Sequence, residues 1–175
     1  MRPVGNHLQY SNLNWGKLSN VKPSKHRTIS PNLIDFGQSA SCFTLNIEGT
    51  HIADYPFPGN GKTKTISLLC GTDAYGYKHI TTGHKADWVA TQINAHDDTG
   101  NSWDDLMSFA VFASLNSPNW ISGPTNGKFC ADAAVEFYDK NGAPTYYQRV
   151  MTIWSDTNKT VITAYPITTG SLGCR

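Results

Sequence analysis

The sequence predicts an α+β fold in which two helices pack on a twisted antiparallel sheet. Three observations support this prediction. A capping residue precedes an amphipathic run in "SWDDLMSFAVFASLN", and strand-like runs flank the turn residues Asn141-Gly142. Further strand-like runs come before the helices. The predicted order is an N-terminal loop, two strands, two helices and a three-stranded meander.

The first 70 residues are predicted to contain a loop followed by two strands. Residues 1–40 read as loop, because proline, asparagine and serine interrupt any periodic pattern. In "CFTLNIEG" the alternation of Phe43, Leu45 and Ile47 predicts a half-buried strand. "TISLLC" predicts a second strand, and "YPFPGNGKT" a loop between the two.

That loop contains Gly61-Lys62-Thr63, the end of a phosphate-binding P-loop pattern. The complete pattern requires a glycine five residues before Gly61, where this chain has Pro56. The following "TKTISLL" also favours a strand over a helix. We therefore interpret the segment as a hairpin loop.

Two helices are predicted in the middle of the chain. Residues 77–95 are helical in part, and Ser102 is the predicted N-cap of the second helix. Asp104 and Asp105 suit its first turn, where carboxylates interact favourably with the helix dipole. Its apolar stripe comprises Leu106, Phe109, Ala110 and Ala113. The segment "SPNWISGPTNG" is predicted to end it.

The last third of the sequence predicts a three-stranded antiparallel meander. "KFCADAAVEFYDK", "APTYYQRVMTIWSD" and "KTVITAYPI" are separated by Asn141-Gly142 and Thr157-Asn158. Asn-Gly between β-rich runs is a strong hairpin signal.

The composition favours an exported protein, since only 15% of the residues are charged. Residues 1–70 carry seven Lys/Arg against three Asp/Glu, a net +4, whereas residues 71–175 carry seven against ten, a net −3. The second half therefore has no overall basic excess to attract nucleic acid. No transmembrane run or signal peptide is recognised, so we expect a protein that is soluble where it is made or cut from a larger exported chain.

Cys42, Cys70, Cys130 and Cys174 are widely spaced and form no zinc-binding pattern. One or two disulfides and four free thiols both remain open. The segment "NAHDDTGNSWDD" contains five candidate metal ligands, His96, Asp97, Asp98, Asp104 and Asp105. A turn followed by a capped helix explains these residues more simply. We expect no metal and no cofactor.

A candidate catalytic segment is "YGYKHITTGHKADW", which contains Lys78, His79 and His84 within seven residues. Two histidines and a lysine suit metal-free RNA cleavage: one imidazole accepts the 2′-OH proton, the other protonates the leaving 5′ oxygen, and the lysine stabilises phosphorane charge. Five residues on an unbroken helix rotate about 140°, so the imidazoles are expected to meet only if the helix breaks near Gly83.

A second candidate segment is "TVITAYP". Thr163 and Tyr165 share one face of a strand, where a hydroxyl and a phenol suit phosphate binding and base stacking. On the neighbouring predicted strand, Gln148 and Arg149 point to opposite faces, and an arginine among apolar residues pairs with an acid or binds an anion.

Through its "KHI" and "TAYP" motifs the chain resembles the BECR-fold ribonucleases, the group of barnase, EndoU, the RNase colicins and RelE. The resemblance spans residues 71–168 and is strongest to C-terminal toxin domains of bacterial polymorphic and contact-dependent inhibition toxins. It implies a metal-independent endoribonuclease, acting on RNA such as tRNA, that leaves a 2′,3′-cyclic phosphate. The catalytic residues implied are Lys78, His79, His84, Thr163 and Tyr165. Predicted substrate contacts are Lys85, Arg149 and Trp154.

We expect a catalytic domain over residues 71–175. Residues 1–70 lie outside the resemblance, and both an entry segment and the first strands of the same domain remain open for them. We expect a monomeric secreted toxin, or one delivered from a larger exported protein, that acts in the target-cell cytoplasm and has a cognate immunity protein. Two other interpretations remain open. One is a non-enzymatic secreted binding or effector module, and the other is a different enzyme class, such as a transferase or peptidase. In the first, the aromatic residues serve as core or as a ligand platform, namely Trp88, Trp103, Trp120 and Trp154.

Overall fold

The computed structural model describes residues 8–11, 32–59, 62–97, 99–139 and 141–168, and it confirms the α+β class. The helices are α1 (Phe36–Ser39), continued by a π-helical turn (Ala40–Thr44), α2 (Gly76–Ala95) and α3 (Trp103–Asn116). The strands are β1 (Leu8–Ser11), β2 (His51–Gly59), β3 (Lys62–Leu69), β4 (Trp120–Thr125), β5 (Lys128–Tyr138), β6 (Pro144–Ser155) and β7 (Val161–Pro166).

The main sheet is antiparallel and contains the predicted meander β5–β6–β7. Both β1 and β4 pair with β5, β1 at its C-terminal end and β4 at its N-terminal end. The β4–β5 hairpin was missed by the sequence prediction, which assigned this segment to the end of the helix. Its turn is Asn126-Gly127, and both residues have positive φ, at 51° and 71°. Such a turn matches the twist of paired strands.

The segment around Cys42 is helical, so the predicted strand "CFTLNIEG" is wrong. Asp35 and Gln38 form a capping box that starts α1, and the π-helical turn follows directly. The alternating apolar side chains of Phe43, Leu45 and Ile47 lie in solvent, with exposed fractions of 45%, 65% and 50%. What anchors the segment is a disulfide between Cys42 and Cys70, which are both fully buried.

The predicted loop "YPFPGNGKT" is largely part of the β2–β3 hairpin, whose register pairs Tyr55 with Ile66. These two residues share one core cluster with α2, α3 and the main sheet. The hairpin also approaches β7, because the backbone N–H of Ser67 donates to the carbonyl of Lys159 at 2.9 Å.

Both predicted helices are present. Ser102 caps α3 in a capping box with Asp105, and all four residues of the predicted stripe are buried. In α2 the buried Trp88 contacts the sheet, since its indole Nε1 donates to the carbonyl oxygen of Ala164 at 3.1 Å. This bond fixes α2 beside β7. Within the described residues, no helix has the length and hydropathy of a membrane span.

Candidate functional site

The two histidines of α2 meet although the helix is continuous through Gly83. The ring centroids of His79 and His84 lie 5.9 Å apart, with the rings nearly perpendicular at 84°. The predicted helix break is therefore wrong. Side chains in a helix lean toward its N-terminus, so the His84 side chain extends toward the turn that carries His79. The two rings therefore meet although their Cα atoms are about 140° apart around the helix axis.

A backbone carbonyl orients His79. Its Nδ1 lies 2.7 Å from the carbonyl oxygen of Asp73, in the turn before α2. A carbonyl oxygen can only accept a hydrogen bond, so Nδ1 carries the hydrogen. Nε2 is then the nitrogen positioned for proton transfer.

His84 is oriented from two sides. Its Nδ1 lies 3.3 Å from Oδ2 of Asp87, one helical turn further on. Its ring stacks on Tyr165 of β7, with centroids 5.0 Å apart and an interplanar angle of 28°. The side chain remains 25% exposed. Nδ1 is directed to the carboxylate, so Nε2 is again the nitrogen that can exchange a proton with a ligand.

The stacking brings β7 into the site, because Tyr165 and Thr163 share one face of the strand. Thr163 is 6% exposed, and its Oγ1 has no hydrogen-bond partner among the described residues. Tyr165 lies opposite Met151 of β6. The two sequence segments therefore meet, as predicted, through the contact between His84 and Tyr165. Thr163 lies two residues earlier on the same strand face and is buried.

Arg149 lies on the same sheet face as Tyr165, because it is two residues from Met151. It forms an ion pair with Asp132 of β5, in which Nε and Nη2 donate to Oδ2 at 3.0 and 2.5 Å. The Asp132 side chain has no exposed surface. Of the two roles predicted for such an arginine, pairing with an acid is therefore observed, while substrate binding remains a prediction.

The lysines lie on another flank of α2. Lys78 follows Tyr77 and is turned about 100° from His79; its Nζ donates to Oδ1 of Asn46 at 2.8 Å. Nζ of Lys85 lies 5.9 Å from the ring centroid of Trp103. Lys78 and Lys85 are seven residues apart and thus on one side of the helix. Their predicted roles beside the histidines have no contact in support.

Trp154 belongs to the core, which corrects its predicted role in substrate binding. It is 1% exposed and packs against Phe57 and Phe129, with centroid distances of 5.2 and 5.5 Å. Trp88 is 0% exposed. These two tryptophans are therefore core residues.

The His96–Asp98 segment mainly ends α2. His96 is the C-cap, in a left-handed conformation with φ of 52°. Oδ1 of Asp97 accepts the backbone N–H of Thr99 at 3.1 Å, and Asp98 lies outside the described residues. Across the part of the chain that the structure describes, no three His, Cys, Asp or Glu side chains form a metal-binding group.

Sequence reasoning missed the residues that orient the imidazoles. Asp87 had a usable signal, because a side chain three residues after a helical histidine is its neighbour. Asp73 had none, since it acts through its carbonyl and that contact depends on the path of the turn. Together the contacts place two oriented imidazoles beside a phenol, an arrangement suited to general acid–base chemistry. No protein-family model, curated protein or solved structure matches this chain.

Proposed function

We propose that the protein is a metal-independent endoribonuclease of the BECR type that acts as a toxin between bacteria. The observation that carries the proposal is the pair His79 and His84, whose rings lie 5.9 Å apart. Nδ1 of His79 faces the carbonyl oxygen of Asp73 in the turn before α2, and Nδ1 of His84 faces the Asp87 carboxylate. Two imidazoles at this spacing suit a reaction in which one group removes a proton and the other supplies one.

In the proposed reaction, one histidine accepts the proton of a ribose 2′-OH. The O2′ oxygen forms a bond to phosphorus, and the bond from phosphorus to the 5′ oxygen breaks. The other histidine gives its proton to that leaving oxygen. The products are a 2′,3′-cyclic phosphate and a 5′-OH end, and water then returns the histidines to their starting protonation states.

Tyr165 has two proposed roles, because its ring stacks on His84 and its strand carries Thr163. It holds the His84 ring in place and offers its phenol to the phosphate or to a base. Arg149 lies on the same sheet face, where its charge is offset by the buried Asp132 carboxylate. A toxin of this class is delivered to another cell and neutralised in its producer by an immunity protein.

The test is incubation of the purified protein with total RNA and with tRNA in excess EDTA, followed by analysis of the new ends. We expect cleavage that persists in chelator, with 2′,3′-cyclic phosphate and 5′-OH ends. His79→Ala protein prepared in parallel controls for contaminating nucleases. Cleavage that needs a divalent ion, or 5′-phosphate ends, would overturn the proposal. If RNA stays intact in the presence of folded wild-type protein, the result favours the non-enzymatic binding module instead.

A further inference from the structure

Gly83 is a glycine that the fold itself does not require. It lies in the middle of α2, and its φ is not in the positive region. A Cβ atom added there would meet nothing within 4 Å. By contrast, a Cβ at Gly71, Gly76 or Gly123 would approach backbone atoms to 2.0, 2.7 and 2.6 Å. Those three glycines are needed by the backbone, whereas Gly83 weakens its helix relative to alanine.

The position of Gly83 relates it to the proposed site. It follows His79 by four residues and precedes Asp87 by four, so it lies between them on one flank of the helix. It directly precedes His84. Gly83 is exposed, and around the helix axis it lies between His79 and His84. A side chain at this position would therefore project into solvent beside the two histidines.

We infer that Gly83 is a clearance residue for the substrate: its missing side chain lets the sugar–phosphate backbone of RNA lie against α2 and reach the Nε2 atoms of His79 and His84. The inference rests on the proposed function. Glycine is the residue that permits close approach of a ligand to a protein backbone. A helix position with free space, no conformational need for glycine and two neighbouring histidines fits that role.

The test compares Gly83→Ala and Gly83→Gln with the wild type in thermal unfolding and in RNA cleavage kinetics. Gly83→Ala should raise Tm by about 2 to 4 °C, because alanine favours the helix and the added methyl group has room. The same change should raise KM by roughly 3- to 10-fold. Gly83→Gln should raise KM by about 100-fold with a smaller effect on kcat, since it blocks binding more than chemistry.

Ala90→Gln is the matched control. Ala90 is exposed and lies seven residues after Gly83, so it occupies the same flank two turns further along the helix. This variant should match the wild type in KM and kcat. Binding is measured separately with a 2′-O-methyl RNA oligonucleotide, which lacks the nucleophilic hydroxyl. The Kd should weaken in the order wild type, Gly83→Ala, Gly83→Gln.

Each outcome is decisive. If wild-type protein cleaves RNA and both Gly83 variants bind and cleave as well as it does, the inference is wrong and the proposed function stands. If Ala90→Gln is impaired as strongly as Gly83→Gln, the effect is not local to the histidines and the inference is likewise overturned. If the wild type neither cleaves nor binds RNA, the proposed function and the inference both fail. A stabilised Gly83→Ala protein with weakened RNA binding supports the inference.

Discussion

At the scale of single residues, the two histidines combine exposure with fixed orientation. Replacing His79 or His84 by alanine should lower the RNA cleavage rate by roughly 100- to 10,000-fold, the usual contribution of a positioned acid or base. The double variant should lose much less than the product of the two effects, because the groups act as a unit. The wild-type rate should follow a bell-shaped pH profile, since one imidazole must start neutral and the other protonated.

The control for this prediction is thermal unfolding of the same variants. Tm should move little, because His84 is part of the surface and His79 contributes one hydrogen bond to a carbonyl. A variant that keeps near-normal activity while folded would assign that histidine a structural role. The acid–base function would then shift toward Tyr165 or Lys78.

Arg149 is expected to matter first for stability. Asp132 is fully buried and receives two hydrogen bonds from the guanidinium group. Arg149→Ala should lower the free energy of unfolding by about 3 to 5 kcal/mol, because it leaves a buried carboxylate without its partner. Denaturant unfolding measures this loss. The paired change Arg149→Met with Asp132→Leu should restore most of it, and an unaltered stability of Arg149→Ala would contradict the expectation.

The residue scale also shows why prediction of the site was incomplete. Residue type and the "KHI" and "TAYP" motifs predict His79, His84 and Tyr165 as site residues, and the structure brings them together. Lys78 was grouped with the histidines because it is adjacent in sequence, yet adjacent residues on a helix point about 100° apart. Trp154 was selected as an aromatic residue, and its burial depends on the packing of β5 and β2 around it.

At the scale of elements, capping and turn residues correctly predicted a helix start and a hairpin. The Ser102 cap and the Asn141-Gly142 turn each identified an element that the structure contains. The same rules would have found two features that were missed, the Asp35–Gln38 capping box and the Asn126-Gly127 turn. The false strand at Cys42 arose because alternating apolar residues imply burial only when a sheet covers them, whereas Phe43 and Leu45 are 45% and 65% exposed.

The Cys42–Cys70 disulfide links the first helical segment to the residue that follows β3. It joins residues 28 positions apart. Replacing both cysteines by alanine should lower the free energy of unfolding by about 2 to 4 kcal/mol, mainly through the greater freedom of the unfolded chain. Denaturant unfolding of the double variant checks this value, with Ser41→Ala as the neighbouring control. A loss below about 0.5 kcal/mol would mean that the bridge adds little.

The β2–β3 hairpin should contribute a small pH-dependent stabilisation. The hydroxyl of Ser67 donates to the Asp54 carboxylate, and His51 lies beside it, so the pKa of Asp54 is lowered from 3.8. A lowered pKa stabilises the fold at pH values above 3.8, and this stabilisation is lost as the pH falls through the folded-state pKa. The side chains of His51 and Asp54 are 54% and 52% exposed, so solvent screening limits the effect to less than about 1 kcal/mol.

Asp54→Asn should therefore show a smaller drop in Tm between neutral and acidic pH than the wild type. Ser67→Ala should behave in the same way, because the Ser67 hydrogen bond is the largest cause of the lowered pKa. Equal acid sensitivity of the wild type and both variants would count against this role of the hairpin.

At the scale of the whole molecule, the proposed toxin should be harmful to any bacterium that makes it without a protective partner. Expression of the wild-type chain should stop growth, whereas the His79→Ala and His84→Ala chains should be tolerated. The cognate partner is expected to cover the site with an acidic face, since we propose that the surface it blocks holds RNA phosphates. Normal growth with folded wild-type protein in the cytoplasm would contradict this expectation.

The hydrogen bond from Trp88 to Ala164 has a consequence for the order of folding. It joins α2, which carries the histidines, to the strand between Thr163 and Tyr165, and these segments are separated by 76 residues in the chain. A ribosome makes α2 before β7, and β7 must then pair with β6 before Tyr165 reaches its place beside His84. A nascent chain has no complete site until Tyr165 has been synthesised and its strand has joined the sheet.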